Sequence, residues 1–181
     1  MEVTFFRHGI AVDRADPLAP VDFERPLTLD GKNKTEAAAR GLRALGLKPG
    51  VIASSPYRRC MQTARLVADA LGLPKKSVRE LEALSPGSDP KVLWAELSLV
   101  APASILCVGH GGTIEPAAGW ALGLATTAEE VEHAALEDDP AFRALHLKKA
   151  GALQLDVRVE PLSAKLAWLV TPKILRQLGR P

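Results

Sequence analysis

Little in the sequence ties it to a membrane, a nucleic acid or a disulfide framework. Only two cysteines occur in 181 residues. Cys60 and Cys107 sit among apolar neighbours without Cys-x-x-Cys spacing, so free buried thiols in a reducing compartment are expected rather than a bridge. No run of Lys and Arg forms a polybasic patch, and a formal charge of +2 is too small to draw nucleic acid or an anionic membrane surface. The uncharged stretch from Pro116 to Ala128 is shorter than the roughly 18 to 20 residues of a membrane helix. Glu2, Arg7 and His8 interrupt the first apolar run, unlike the core of a signal peptide. A cytoplasmic location is therefore expected. No repeat and no linker divides the chain, so one domain over residues 1–181 is expected as well.

What is present is a globular composition, with 47% hydrophobic and 24% charged residues. Val3 to Phe6 is a short β-branched and aromatic run, suited to a strand buried on both faces of a parallel sheet, and Arg7-His8-Gly9 forms its carboxyl end. From Ala11 to Arg25 the chain turns to Asp, Pro and Arg, which predicts a loop of about 15 residues, a length that is usually functional or mobile. Thr28 can cap a helix that places Thr35, Ala38, Leu42 and Leu45 on one face before Gly46 and Pro49 close it.

Val51 to Ser54 predicts a second strand, and Ser55-Pro56 a helix start with serine as cap. Cys60, Ala64, Val67 and Leu71 form that helix's apolar stripe, which Gly72 and Pro74 end. Ser77 to Leu84 predicts a third strand, and Asp89 caps a helix through Leu93 and Leu97. Ser104 to Val108 is the clearest strand, and it runs into Gly109-His110-Gly111-Gly112, where two glycines imply a tight turn with something close to the backbone. A helix then starts near Thr113 with Pro116 in its first turn. Thr127 and Glu130 have capping-box spacing for a short helix over 129–136, which Asp138-Asp139-Pro140 breaks. The alternating runs Ala152 to Val159 and Lys165 to Val170 predict a hairpin that finishes the sheet.

Three strand ends thus carry polar residues: Arg7-His8, Ser55 to Arg59, and His110. In an open parallel sheet such ends meet at one crevice, where ligands bind. Two Arg and two His, without the carboxylates and thiolates of a metal site, suit an anion, and guanidinium forks match phosphate oxygens.

These residues resemble the histidine phosphatase superfamily, which includes cofactor-dependent phosphoglycerate mutases and acid phosphatases. Its Arg-His-Gly stands as Arg7, His8 and Gly9. Its Ser-Pro-x-x-Arg-x-x-Gln-Thr-Ala element stands as Ser55, Pro56, Arg59, Gln62, Thr63 and Ala64. Its later histidine stands as His110, before Gly111 and Gly112. Within the superfamily the chain is most similar to the small SixA-type phosphohistidine phosphatases, through Arg25-Pro26-Leu27-Thr28 with Gly31, and Leu84-Ser85-Pro86 with Asp89. The segment 118–149 is longer than in compact members and is read as a lid, an insertion or a partner surface.

The resemblance implies an α/β fold of phosphoglycerate mutase type: a three-layer α/β/α sandwich whose mostly parallel, mixed sheet includes an antiparallel strand. It implies His8 as nucleophile, with Arg7, Arg59 and His110 on the phosphoryl oxygens, and neither a metal nor a cofactor. Gly111 and Arg25 are further substrate-binding candidates, Arg25 with loop positioning as its alternative. Neutral imidazole attacks phosphorus without the repulsion a carboxylate would meet, provided cations screen the oxygens. Nearby cations also disfavour its protonation. Glu82 is the candidate proton donor, with Glu80 and Asp13 behind it. Because no acid is well defined, a phosphohistidine-containing protein is the expected substrate, since imidazole leaves without strong acid catalysis. Small phosphate monoesters are the alternative substrate, and a non-catalytic phosphate-binding module the alternative of another class. Arg58, His133, His146, Lys148 and Lys149 are read as exposed charged or solvated groups.

Overall fold

The computed structural model describes residues 1–100, 103–124 and 145–180. A six-stranded sheet in the order β3-β2-β4-β1-β5-β6 forms the middle layer. Its strands are β1 (Glu2–Arg7), β2 (Val51–Ser54), β3 (Val78–Glu80), β4 (Ser104–Gly109), β5 (Ala152–Arg158) and β6 (Ser163–Val170). The first four are parallel, while β5 pairs antiparallel with both β1 and β6. β5 is thus the one strand of the six that runs against the others.

Alternation along β1 sends its side chains to two cores. Val3 and Phe5 join Leu93, Trp94, Leu97 and Ile114 on one face of the sheet. Phe6 joins Leu42, Cys60, Val67 and Leu175 on the other. Phe5 and Phe6 are both fully buried, each worth roughly 1.5–3 kcal/mol of apolar transfer. The helices that supply these partners are α1 (Leu29–Ala44), α2 (Arg58–Leu71), α3 (Pro90–Val100), α4 (Gly111–Ala121) and α5 (Pro172–Leu178). α1, α2 and α5 cover one face and α3 and α4 the other, which is the expected three-layer α/β/α sandwich.

The crossovers explain where a crevice must open. The chain moves from β1 through β2 to β3 in one direction, with α1 and α2 on one face. It then returns to β4 through α3 on the opposite face, as right-handed crossovers require when direction reverses. β4 comes to lie beside β1, and the connections from these two neighbours leave on opposite faces. The switch point lies between them, at their carboxyl ends.

Several local expectations need correction. Thr28 does cap α1, accepting the Gly31 N–H at 2.9 Å, but Leu45 is the C-terminal cap just past that helix and is exposed. Ser55 does not cap α2: Tyr57 holds that position without a side-chain bond. The predicted third strand shrinks to Val78–Glu80, because its only partner, β2, is four residues long. The chain then enters a 3-10 turn, Glu82–Leu84, that buries Ala83 and Leu84. α4 begins at Gly111, so Pro116 lies beyond its first turn. The chain does not end with the hairpin: Thr171 caps a further helix, α5, with Pro172 at its first position and Leu175 fully buried. The helix expected over 129–136, and most of the 118–149 segment, lie outside the described residues.

Candidate active site

The register that pairs Arg7 with Gly109 brings the next residue of each strand, His8 and His110, to the same edge. The His8 N–H extends the ladder to the Gly109 carbonyl at 3.0 Å. The two rings lie 5.1 Å apart at 64°, and both residues are 7% exposed.

His8 Nδ1 is 2.7 Å from the Gly9 carbonyl oxygen. A carbonyl can only accept, so Nδ1 carries the proton and Nε2 keeps its lone pair. Burial, then the neighbouring His110, Arg59 and Arg7, hold the His8 pKa well below 6.5, against an opposing push from the Gly9 hydrogen bond. The imidazole is neutral at neutral pH. Gly9 is itself fixed from two sides. Its N–H donates to Thr63 Oγ1 at 3.1 Å, and a Cβ there would come within 2.1 Å of Thr35 Oγ1.

α2 carries Arg59 into the crevice from its first turn, and the residues that follow tie it down. Thr63 Oγ1 donates to the Arg59 carbonyl at 2.7 Å, while Gln62 Oε1 accepts the Leu27 N–H at 2.7 Å. Gln62 and Thr63 thus lock the long loop's return and the strand end onto one helix. Arg59 Nη2 donates to His110 Nδ1 at 3.1 Å. Because guanidinium only donates, the His110 proton sits on Nε2, facing Ser55 Oγ at 3.1 Å and Cys60 Sγ at 3.4 Å. Both ring nitrogens are engaged by protein groups, so His110 holds Arg59 directly rather than presenting a free donor. Burial first, then Arg59, push its pKa down to about 3, opposed by Asp22. Burial lifts the Cys60 thiol to about 12, so no thiolate competes with His8.

Arg7 approaches from β1. Its Nη1 donates to the Leu147 carbonyl at 2.8 Å, and its guanidinium lies against Gly111, where a Cβ would stand 2.9 Å from Arg7 Cζ. What Gly111 leaves room for is therefore this arginine, and no tight turn is made: Gly111 and Gly112 open α4. Among the described residues, the buried side-chain nitrogens without a hydrogen-bond partner are Arg7 Nε and Arg59 Nε. A buried, unpaired donor is costly, and here both belong to arginines beside His8.

Two carboxylates at the site went unread in the sequence. Asp22 lies on the long loop, whose base closes through an Ala11–Leu27 bridge. Its carbonyl accepts from Arg59 Nη1 at 2.7 Å and its Oδ2 from Nη2 at 3.2 Å, while Oδ1 accepts from Arg25 and Arg14. Hydrogen bonds from Arg25 and Arg14 and the charge of Arg59 outweigh its partial burial and bring its pKa down to about 2. Arg25 also donates to the Val12 carbonyl at 2.6 Å, so its donors position the loop rather than face a substrate. Glu115, on α4, accepts the Leu147 N–H at 2.7 Å. The aromatic ring of Tyr57 stands 5.0 Å from His110 and under the Arg59 guanidinium.

None of the acid candidates is hydrogen-bonded to His8, Arg7, Arg59 or His110. Glu82 is exposed and accepts from Ser85 Oγ at 2.8 Å. Glu80 is exposed on β3, and Asp13 accepts the Ala15 N–H in an exposed turn. Arg58 is at the surface, 3.9 Å from Glu24. His146 is half-exposed beside Glu115, Lys148 and Lys149 are exposed, and His133 lies outside the described residues.

An α/β sheet with a neutral histidine and two guanidinium groups at its switch point defines the class, an anion-handling α/β enzyme. Residues 3–98 match the histidine phosphatase superfamily (branch 1). An uncharacterized protein of Picosynechococcus is 37% identical over 97% of this chain and 99% of its own. The phosphohistidine phosphatase SixA of Escherichia coli is 32% identical over 61% of this chain and 67% of its own. The structure of the protein histidine phosphatase SixA complexed with tungstate superposes with a TM-score of 0.77 at 23% identity, covering 97% of this chain and 99% of that one. A mycobacterial glucosyl-3-phosphoglycerate phosphatase superposes with a TM-score of 0.65 at 19% identity over 94% and 98%. At these identities the two superpositions speak to the fold. The chain belongs to the histidine phosphatase superfamily and is a phosphatase.

Proposed function

We propose that the protein is a metal-independent phosphatase that passes the phosphoryl group through Nε2 of His8, and that its preferred substrate is a phosphohistidine carried by a protein. The observation that carries this reading is the pair of buried, unpartnered Nε donors of Arg7 and Arg59 beside His8. In the first step the Nε2 lone pair forms a bond to phosphorus as the bond to the leaving group breaks. Arg7 and Arg59 take the charge of the phosphoryl oxygens, and His110 holds Arg59 in place. In the second step water attacks phosphorus, the bond to His8 breaks, and inorganic phosphate leaves with the imidazole restored.

The leaving group decides the substrate class. An alkoxide needs a proton, and the carboxyl group nearest Arg59, Asp22, is held ionised by its arginine partners. A phosphorylated imidazole, protonated on its other nitrogen, departs neutral without a strong acid. Asp22, held ionised, gives an alkoxide no proton, which argues against small esters with poor leaving groups.

Turnover by wild-type protein and His8→Ala, measured with a chelator present on a phosphohistidine protein and on a panel of small monoesters, tests both parts. Wild type is expected to favour phosphohistidine in kcat/KM, with His8→Ala inactive on everything. Equal or faster turnover of unactivated esters would move the substrate to small phosphates. If wild type hydrolyses neither class, the phosphate-binding module replaces the enzyme.

A further inference from the structure

Glu115 belongs to none of the motifs at the site, yet it stands one helical turn after Gly111, on the helix face against which the Arg7 guanidinium lies. Its Oε1 accepts the Leu147 N–H at 2.7 Å and lies 4.0 Å from Arg7 Nη1. The Leu147 carbonyl accepts from that same Nη1 at 2.8 Å. Glu115, Leu147 and Arg7 thus close a triangle whose two charged side chains are each 23% exposed.

The rest of the segment is hydrogen-bonded to β1 through its backbone. The Ala150 N–H donates to the Arg7 carbonyl at 3.0 Å, the Arg7 N–H to the Gly151 carbonyl at 3.1 Å, and Gly151 turns back on Lys148 at 2.8 Å. Ala150 adopts a φ of 59° to make that turn, a conformation that costs about 1 kcal/mol or more for a residue with a Cβ. Residues 147–151 therefore wrap the base of Arg7. Among the described residues, Glu115 is the side chain that ties this wrap to α4 next to the guanidinium. His146 Nδ1, 3.9 Å from Oε1, is the other titratable group facing the carboxylate.

We propose that Glu115 is the positioning residue of Arg7. It fixes the Leu147 peptide and faces Nη1, so the guanidinium is anchored at one corner and its unpartnered Nε edge is left for the phosphoryl group. Glu115 then touches no substrate and acts through Arg7. The proposal rests on the phosphoryl pocket described above.

Orthovanadate binding, which needs no turnover, and kcat/KM on p-nitrophenyl phosphate test it in Glu115→Ala, Glu115→Gln and Arg7→Ala. Glu115→Ala is expected to weaken both by about tenfold, as loss of a supporting partner does, and Glu115→Gln, which keeps an acceptor for Leu147, by about threefold or less. In an Arg7→Ala background Glu115→Ala should change neither by more than about twofold, because the two act as one unit. Losses that multiply in the double variant, or unchanged vanadate binding in Glu115→Ala, overturn the positioning role. So does a Glu115→Gln loss that grows with the leaving group's pKa, which would make the residue an acid. If wild type itself binds no vanadate, the phosphoryl pocket falls and this role with it. If Glu115→Ala does not fold, Glu115→Gln and its double variant still decide.

Discussion

Arg7 and Arg59 reach the same crevice on unlike supports. Arg7 ends a strand in the interior of the sheet, with β4 on one side and β5 on the other, and its Nη1 is held by the Leu147 carbonyl. Arg59 sits in the first turn of a helix, and its Nη groups are held by Asp22, whose side chain is 31% exposed on the long loop. One cation is built into the fold and the other is held by a loop laid over it. In both cases a backbone carbonyl and a carboxylate occupy the Nη side while Nε is left without a partner. The same arrangement of donors is reached through the strand's own neighbours in one case and through a loop in the other.

If both edges serve the phosphoryl group, removing either is severe. Arg7→Ala and Arg59→Ala are each expected to lower kcat/KM by roughly 100-fold, the scale of losing a donor to developing charge. A surface control, Arg58→Ala, should leave it unchanged. A loss confined to one arginine in steady-state kinetics would show that the two arms are not equivalent.

Smaller changes probe the supports. Gly111→Ala crowds Arg7 Cζ against a new methyl and should lower kcat/KM by about tenfold through displaced geometry. Asp22→Asn loosens Arg59 but leaves the Asp22 carbonyl in place. Its partly exposed ion pair is worth about 1 kcal/mol, so a loss of about fivefold is expected. A larger effect from Asp22→Asn than from Gly111→Ala would reverse the assignment of fixed and loop-held arms.

A test by stability rather than rate concerns both arms at once, through pH. Below about pH 6.5 the unfolded chain binds protons on its histidines that the folded chain, with His8 and His110 depressed, does not. Acid therefore favours unfolding, and stability present above pH 6.5 is lost as pH falls toward about 3, where His110 titrates. The slope is up to about 1.4 kcal/mol per pH unit for each histidine. Asp22 adds loss of the same sign as pH falls from 3.8 toward about 2. Denaturant midpoints should drop between pH 7 and pH 5, whereas equal midpoints would contradict buried neutral imidazoles. The acid limb of kcat/KM should likewise lie below pH 6.5.

How much of this was legible in the sequence follows from distance along the chain. Arg7, His8, Arg59 and His110 could be placed because each lies at a strand end or in a helix's first turn, and a parallel sheet puts such positions together. Their carboxylate partners could not. Asp22 meets Arg59 across 37 residues and looks, in the sequence, like any other Asp in a proline-rich loop. Glu115 meets Leu147 across 32, with no periodicity to mark it. Ser-Pro locally implies a cap at Ser55, yet its hydroxyl faces His110 instead. The signal for α5, Thr171-Pro172, is weak beside the stronger alternation of β5 and β6. The third strand also ends earlier than its sequence implies, and in the turn that follows Glu82 accepts from Ser85 Oγ.

The most direct measurement is of the covalent enzyme. Wild-type protein mixed rapidly with a labelled phosphohistidine protein or p-nitrophenyl phosphate and quenched in base should carry one phosphoryl group, stable to base, labile to acid and located on His8. His8→Ala should carry none. A label that survives acid, maps to another residue, or persists in His8→Ala would contradict transfer through His8.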